Sequence, residues 1–184
     1  ALATLEVAHL MVTLDGYAQP LVHRDLKPAN LFVLEPPEGD VRLKIVDFGL
    51  VGQTTATKLT RDGSGFGTPN YMAPEQFGDA HSATPATDVW AVAVMLYEAV
   101  SGESPFAAPT IHGTMLKVFA GHPKRVDELV PECPAALATL LDACLDPDPT
   151  KRSADARALG RALDEILADP STRTFAASRL ALDP

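Results

Sequence analysis

Residues 87–100 (TDVWAVAVMLYEAV) are apolar on nearly every side of a helix, and such a helix persists in water only when other elements surround it. Partners for it are present. Residues 111–120, 135–144 and 154–168 each show one apolar face at helical spacing, with proline-rich breaks between them and Ser153 standing ahead of the last as a cap. Residues 1–14 read as a further helix, with Leu2, Leu5, His9 and Val12 in register and Asp15-Gly16 as its stop. Short β-branched or apolar runs at 21–22, 31–34 and 41–46 read as strands, and the turn-forming Glu35-Pro36-Pro37-Glu38-Gly39-Asp40 joins the last two. The expected fold class is α+β, mainly helical, with short β-hairpins. Residues 169–184 hold no clear core and read as a tail or the start of a linker.

Composition narrows the partners. With 184 residues and 46% of them apolar, the chain suits one domain with an ordinary core. A net charge of -9 opposes an extended footprint on nucleic acid or anionic lipid, so neither is expected as a partner. The longest apolar run, 89–97, is too short to span a bilayer, and no secretory pattern opens the chain, which makes a cytoplasmic location the expectation. Cys133 and Cys144, placed on one predicted helix, would lie about 16 Å apart along its axis and beyond disulfide reach, so both are expected as reduced core residues.

The polar motifs are more specific. His23-Arg24-Asp25-Leu26-Lys27-Pro28-Ala29-Asn30 falls between two predicted strands, and Asp47-Phe48-Gly49 ends a third. A loop and hairpin of this kind can gather two carboxylates, an amide and a lysine at one point. A carboxylate to accept a hydroxyl proton, a cation beside it and two oxygen ligands for a hard divalent metal form the set that phosphoryl transfer requires. His-Arg-Asp alone would equally suit a structural ion pair; the eight-residue string followed by Asp-Phe-Gly after one hairpin is far more restrictive. Gly63-Ser64-Gly65-Phe66-Gly67 looks like a phosphate-cradling loop, but its glycine spacing is wrong and no helix follows it. The stretch 47–75 lacks periodicity and is long for a loop in a compact domain, which points to function or mobility.

These strings, together with Gly67-Thr68-Pro69-Asn70-Tyr71-Met72-Ala73-Pro74-Glu75, Asp88-Val89-Trp90 and the later Arg152, resemble the protein kinases across almost the whole chain and in that family's order. The resemblance implies a kinase-like C-terminal lobe over residues 1–168. It implies that Asp25 is the catalytic base or orients the substrate hydroxyl, that Lys27 neutralises the transferring phosphate, and that Asn30 and Asp47 hold Mg2+. Lys27 also indicates a serine/threonine kinase, since tyrosine kinases usually carry another residue there. Thr68 resembles the hydroxyl that links the substrate-docking loop to Asp25 and Lys27, and Phe32 the residue that floors the adenine pocket of ATP while also serving as strand core. Glu75 and Arg152 resemble a buried ion pair at the end of the activation segment. Asp88 resembles the carboxylate that holds the His23-Arg24 backbone, and His23 and Phe48 the stacked pair of an apolar spine.

Further expectations follow from the same resemblance. The glycine-rich loop, the strand lysine and its glutamate partner that grip ATP from above find no match, so the chain reads as a fragment without the N-terminal lobe, inactive alone and partnered by that lobe and by protein substrates. Ala29 replaces the glutamate that pairs with a substrate arginine in many basic-directed kinases, and Ala93 replaces a common glycine. Arg24 implies switching by a phosphate on the activation segment, with Thr54, Thr55, Thr57, Thr60 and Ser64 as candidates. Thr60 lies at the favoured spacing, and Asp62 stands either for a permanent part of that charge or for a solvated loop residue. Small-molecule phosphotransferases share the Asp and Asn loop but lack a Met-Ala-Pro-Glu element; a pseudokinase scaffold is the other alternative.

Overall fold

The computed structural model describes residues 2–12, 15–17, 19–34, 42–48, 69–78 and 82–180. The element order among them is α1 (Leu2–His9), β1 (Leu31–Leu34), β2 (Arg42–Ile45), α2 (Pro85–Ser101), α3 (Ile111–Ala120), α4 (Val126–Leu129), α5 (Ala135–Cys144), α6 (Ala156–Leu167) and α7 (Pro170–Leu180). Short 3-10 turns at Pro28–Asn30, Pro69–Tyr71, Pro74–Phe77 and Pro149–Lys151 fall between them.

The helix read over residues 87–100 is α2, and it is central. Pro85 opens it, Thr84 N–H donates to Thr87 Oγ1 at 3.0 Å, and nine of its residues are buried. Gly102 ends it at φ 75, with its N–H on the Glu98 carbonyl at 2.8 Å, a left-handed stop that suits glycine. Trp90 stacks on Phe106 with centroids 5.0 Å apart, and Val89, Val94, Leu141, Leu145 and Leu159 from α2, α5, α6 and the turn after α5 complete the main core. A smaller cluster joins Leu5 of α1, Leu26, Ile45 of β2, Ala91 of α2 and Ala156 of α6.

Strands β1 and β2 pair antiparallel, with Leu31 opposite Ile45 and Phe32 opposite Lys44. The turn read at residues 35–40 lies outside the described residues. Ile45 and the half-buried Leu31 face the small cluster, while Phe32, Val33, Leu34 and Leu43 are exposed.

Several expectations are corrected. Helix α1 stops at His9 rather than at residue 14, because the Ala8 carbonyl, which the next turn would use, accepts Leu21 N–H at 2.9 Å and Met11 N–H at 3.3 Å. Val12 is consequently exposed, and residues 21–22 run as a non-strand segment bonded to α1. Cys133 precedes α5 instead of lying on it; both cysteines are buried and neither is in a disulfide. Asp155, not Ser153, caps α6, accepting Ala158 N–H at 2.8 Å. The segment read as a tail contains α7, where Thr172 is buried and Phe175 packs against the main core. No described helix is long and apolar enough to cross a membrane.

Candidate active site

The loop from His23 to Asn30 is shaped by its backbone partners. Both Asp88 carboxylate oxygens receive its N–H groups: His23 N–H reaches Oδ2 at 2.8 Å and Arg24 N–H reaches Oδ1 at 2.9 Å. Arg24 adopts φ 68, the left-handed region that non-glycine residues rarely occupy, and such residues persist where surrounding bonds over-determine them. His23 is fully buried, accepts Asp25 N–H on Nδ1 at 3.3 Å and donates from Nε2 to the Val46 carbonyl at 3.0 Å. It thereby ties the loop to the end of β2 one residue before Asp47. Phe48 lies against it with centroids 4.7 Å apart.

Two of the side chains expected to carry chemistry, Lys27 and Asn30, meet Asp25. Lys27 Nζ lies 2.8 Å from Asp25 Oδ2, and Asn30 Nδ2 donates to the Asp25 carbonyl at 2.7 Å and to its Oδ2 at 3.3 Å. Asp25 is exposed and Asn30 buried, so the carboxylate faces solvent from a fixed base. With its amide nitrogen committed to Asp25, Asn30 has its carbonyl oxygen available for a hard cation. Asp47 is exposed at φ 56, and Val46 N–H bonds the Asn30 carbonyl at 3.1 Å, which brings the two predicted metal ligands to neighbouring strand ends. The oxygen donor set of Asn30 and Asp47 fits magnesium. Phe32 is 54% exposed on β1, so it is not the strand core residue that the sequence suggested. Thr68, Thr60, Asp62, the other candidate phosphate acceptors and the glycine-rich stretch at 63–67 lie outside the described residues.

Behind this loop Arg152 meets Glu75 through two contacts, Nη1 to Oε1 at 2.9 Å and Nη2 to Oε2 at 3.0 Å. Its other N–H groups reach the carbonyls of Asp146, Pro147 and Ala86, so all five find acceptors while the guanidinium lies 4.8 Å over the Trp90 ring. Glu75 Oε1 also accepts the Thr87 hydroxyl at 2.8 Å. Tyr71 donates to Glu98 at 2.7 Å, and burial, followed by that hydrogen bond and the carboxylate's charge, pushes its phenol well above the ordinary range. Burial likewise raises the Cys144 thiol, which keeps it inert.

Two polar residues of this region carry roles that the sequence reading did not give them. His9 is buried in α1; Ala156 N–H donates to its Nδ1 at 3.2 Å, which leaves the proton on Nε2 to donate to Asp88 Oδ2 at 2.9 Å. Gln76 is buried beside Glu75 and bonds both Arg24 and Ala73. A histidine at a core-facing position of an amphipathic pattern was the available signal for the first.

The model of the protein kinase domain matches residues 11–166. Curated relatives include a serine/threonine-protein kinase, drp72, of Corynebacterium efficiens, 35% identical over 150 residues, covering 79% of this chain and 26% of that protein. PknL of Mycobacterium tuberculosis is 34% identical over 164 residues, covering 87% and 40%, and PknA of the same species 38% identical over 137 residues, covering 74% and 30%. The chain thus spans between about a quarter and two fifths of the length of these relatives. With the family's motifs in order and its domain model matching most of the sequence, the chain belongs to the protein kinase family.

Proposed function

We propose that the protein transfers the γ-phosphate of ATP to serine or threonine hydroxyls of proteins, with this chain forming the C-terminal lobe of the catalytic domain. The observation that carries the reading is the Asp25, Lys27 and Asn30 cluster, in which an exposed carboxylate has a lysine ammonium at 2.8 Å and an amide at 3.3 Å. Asp25 receives or orients the proton of the incoming hydroxyl, and Lys27 offsets negative charge as the phosphoryl group passes. Asn30 and Asp47 would hold magnesium through their oxygens; when bound, the ion neutralises phosphate charge and positions the transferring group. Phe32 contributes an apolar surface for the adenine, and Thr68 joins the docking loop to Asp25. Glu75 and Arg152 anchor the activation segment, and Arg24 pairs with a phosphate on it, at Thr60, with Asp62 supplying part of the charge.

The exposed apolar residues Phe32, Val33, Leu34 and Leu43 on the hairpin support a docking face for an upper lobe that completes the nucleotide grip. Without that lobe the phosphates are held from one side, and the 184-residue chain alone has negligible activity. The test is peptide phosphorylation by the full-length polypeptide. Asp25→Asn lowers turnover by roughly 10²–10⁴-fold with folding intact. Asp47→Asn loses magnesium-dependent nucleotide binding. Turnover by the wild type that neither substitution alters would defeat the assignment, and a wild type that binds protein partners yet transfers no phosphate would favour a scaffold.

A further inference from the structure

Gln76 is 8% exposed and both ends of its side-chain amide are engaged. Its Oε1 accepts Ala73 N–H at 2.9 Å, and its Nε2 donates to the Arg24 carbonyl at 2.7 Å, fifty-two residues away in sequence. The first contact lies at the head of the turn Pro74–Phe77, in the segment read as the end of the activation segment. The second lies on the catalytic loop. The Arg24 carbonyl and the Asp25 N–H belong to one planar peptide group, so a bond that fixes the oxygen also fixes the N–H from which the Asp25 side chain departs.

That peptide follows a residue in an unfavourable conformation. Arg24 at φ 68 has its N–H on Asp88 and its carbonyl on Gln76, and the Asp25 N–H on the far side of the peptide bonds His23 Nδ1 at 3.3 Å. Asp88 restrains the plane before Arg24, whereas Gln76 bears on the plane after it. Gln76 and Asp88, which hold the two planes, are both buried. We propose that Gln76 is a positioning residue for the phosphoryl-transfer reaction: it sets the Arg24–Asp25 peptide plane and couples it to the end of the activation segment at Ala73. The proposal rests on the kinase reading for its effect on turnover, though not for its effect on the peptide.

Two variants of the full-length protein separate this role from simple packing. Gln76→Glu keeps an oxygen for Ala73 N–H but sets a carboxylate oxygen against the Arg24 carbonyl; Gln76→Met keeps the side-chain length and removes both bonds. Each lowers kcat for a peptide substrate about tenfold, roughly what one lost hydrogen bond is worth, and leaves the KM for ATP unchanged. Each also speeds amide hydrogen exchange in a peptide spanning residues 23–26, while exchange across α5 stays at the wild-type rate. Unchanged kcat and unchanged exchange at 23–26 in Gln76→Glu would overturn the proposal. So would a loss of activity that tracks faster exchange in α5, or failure of both variants to fold, since each marks Gln76 as a general core residue. If the wild type transfers no phosphate, the kinase reading fails and the exchange measurement decides the positioning claim by itself.

Discussion

Among the described residues, sixteen buried apolar residues pack into one cluster around Trp90, whereas the cluster around Leu26 of the His23–Asn30 loop has five. The helical half is therefore held by area removed from water, a force that is non-directional and tolerates small shifts. The loop is held by bonds to its own backbone: Asp88 on two N–H groups, Gln76 on a carbonyl and His23 between Asp25 and Val46. Such bonds add little to total stability but specify position, which is what a carboxylate aimed at a reacting hydroxyl requires. The Glu75 and Arg152 pair stands where the two regimes meet, with the carboxylate on the turn Pro74–Phe77 and the guanidinium laid over the core tryptophan.

Substitutions can break or sharpen this contrast. The largest expected loss comes from Arg152→Met, which leaves Glu75 without its cation and removes the guanidinium N–H groups from three backbone carbonyls; urea unfolding should show about 3–5 kcal/mol of destabilisation. Leu141→Ala, in the apolar half, should cost about 3 kcal/mol while turnover per folded molecule stays at the wild-type value. A matching fall in turnover there would erase the division between the halves. Asp88→Asn gives three donors, from His9, His23 and Arg24, only one amide oxygen to share. It should cost about 2 kcal/mol, yet lower kcat by at least about tenfold, the reverse of the leucine variant. Asp155→Ala removes only the cap of α6, and thermal denaturation should report about 1 kcal/mol with no change in kcat.

Legibility in the sequence follows the reach of the forces involved. Helices α3 and α5 match residues 111–120 and 135–144 end for end, because proline, glycine and a threonine cap mark their limits locally. The end of α1 was not legible, since what stops it is Leu21 N–H arriving at the Ala8 carbonyl from outside the helix. The cap of α6 was misplaced by two residues because Ser153 and Asp155 both satisfy the local rule, and Ser153 instead lies 3.8 Å from the Cys144 sulfur. At the site, Asp25, Lys27 and Asn30 sit within six residues and were readable as a string. The roles of Gln76 and His9 were not, because their partners lie 52, 79 and 147 residues away; the helical register marked His9 as core-facing but not what it would bond, and Gln76 had no such mark.

The bond from Ala156 N–H to His9 spans nearly the whole chain, and it has a consequence for biosynthesis. Translation proceeds at about 5–20 residues per second, so the codon for Ala156 is read on the order of ten seconds after that for Asp25. Through that interval the emerging polypeptide holds the loop's sequence without α6, the element whose first N–H steadies the imidazole on Asp88. The Asp25 loop therefore acquires its final support only as the helical half leaves the ribosome, and chains terminated before Ala156 would carry every motif residue of the loop with its anchor incomplete.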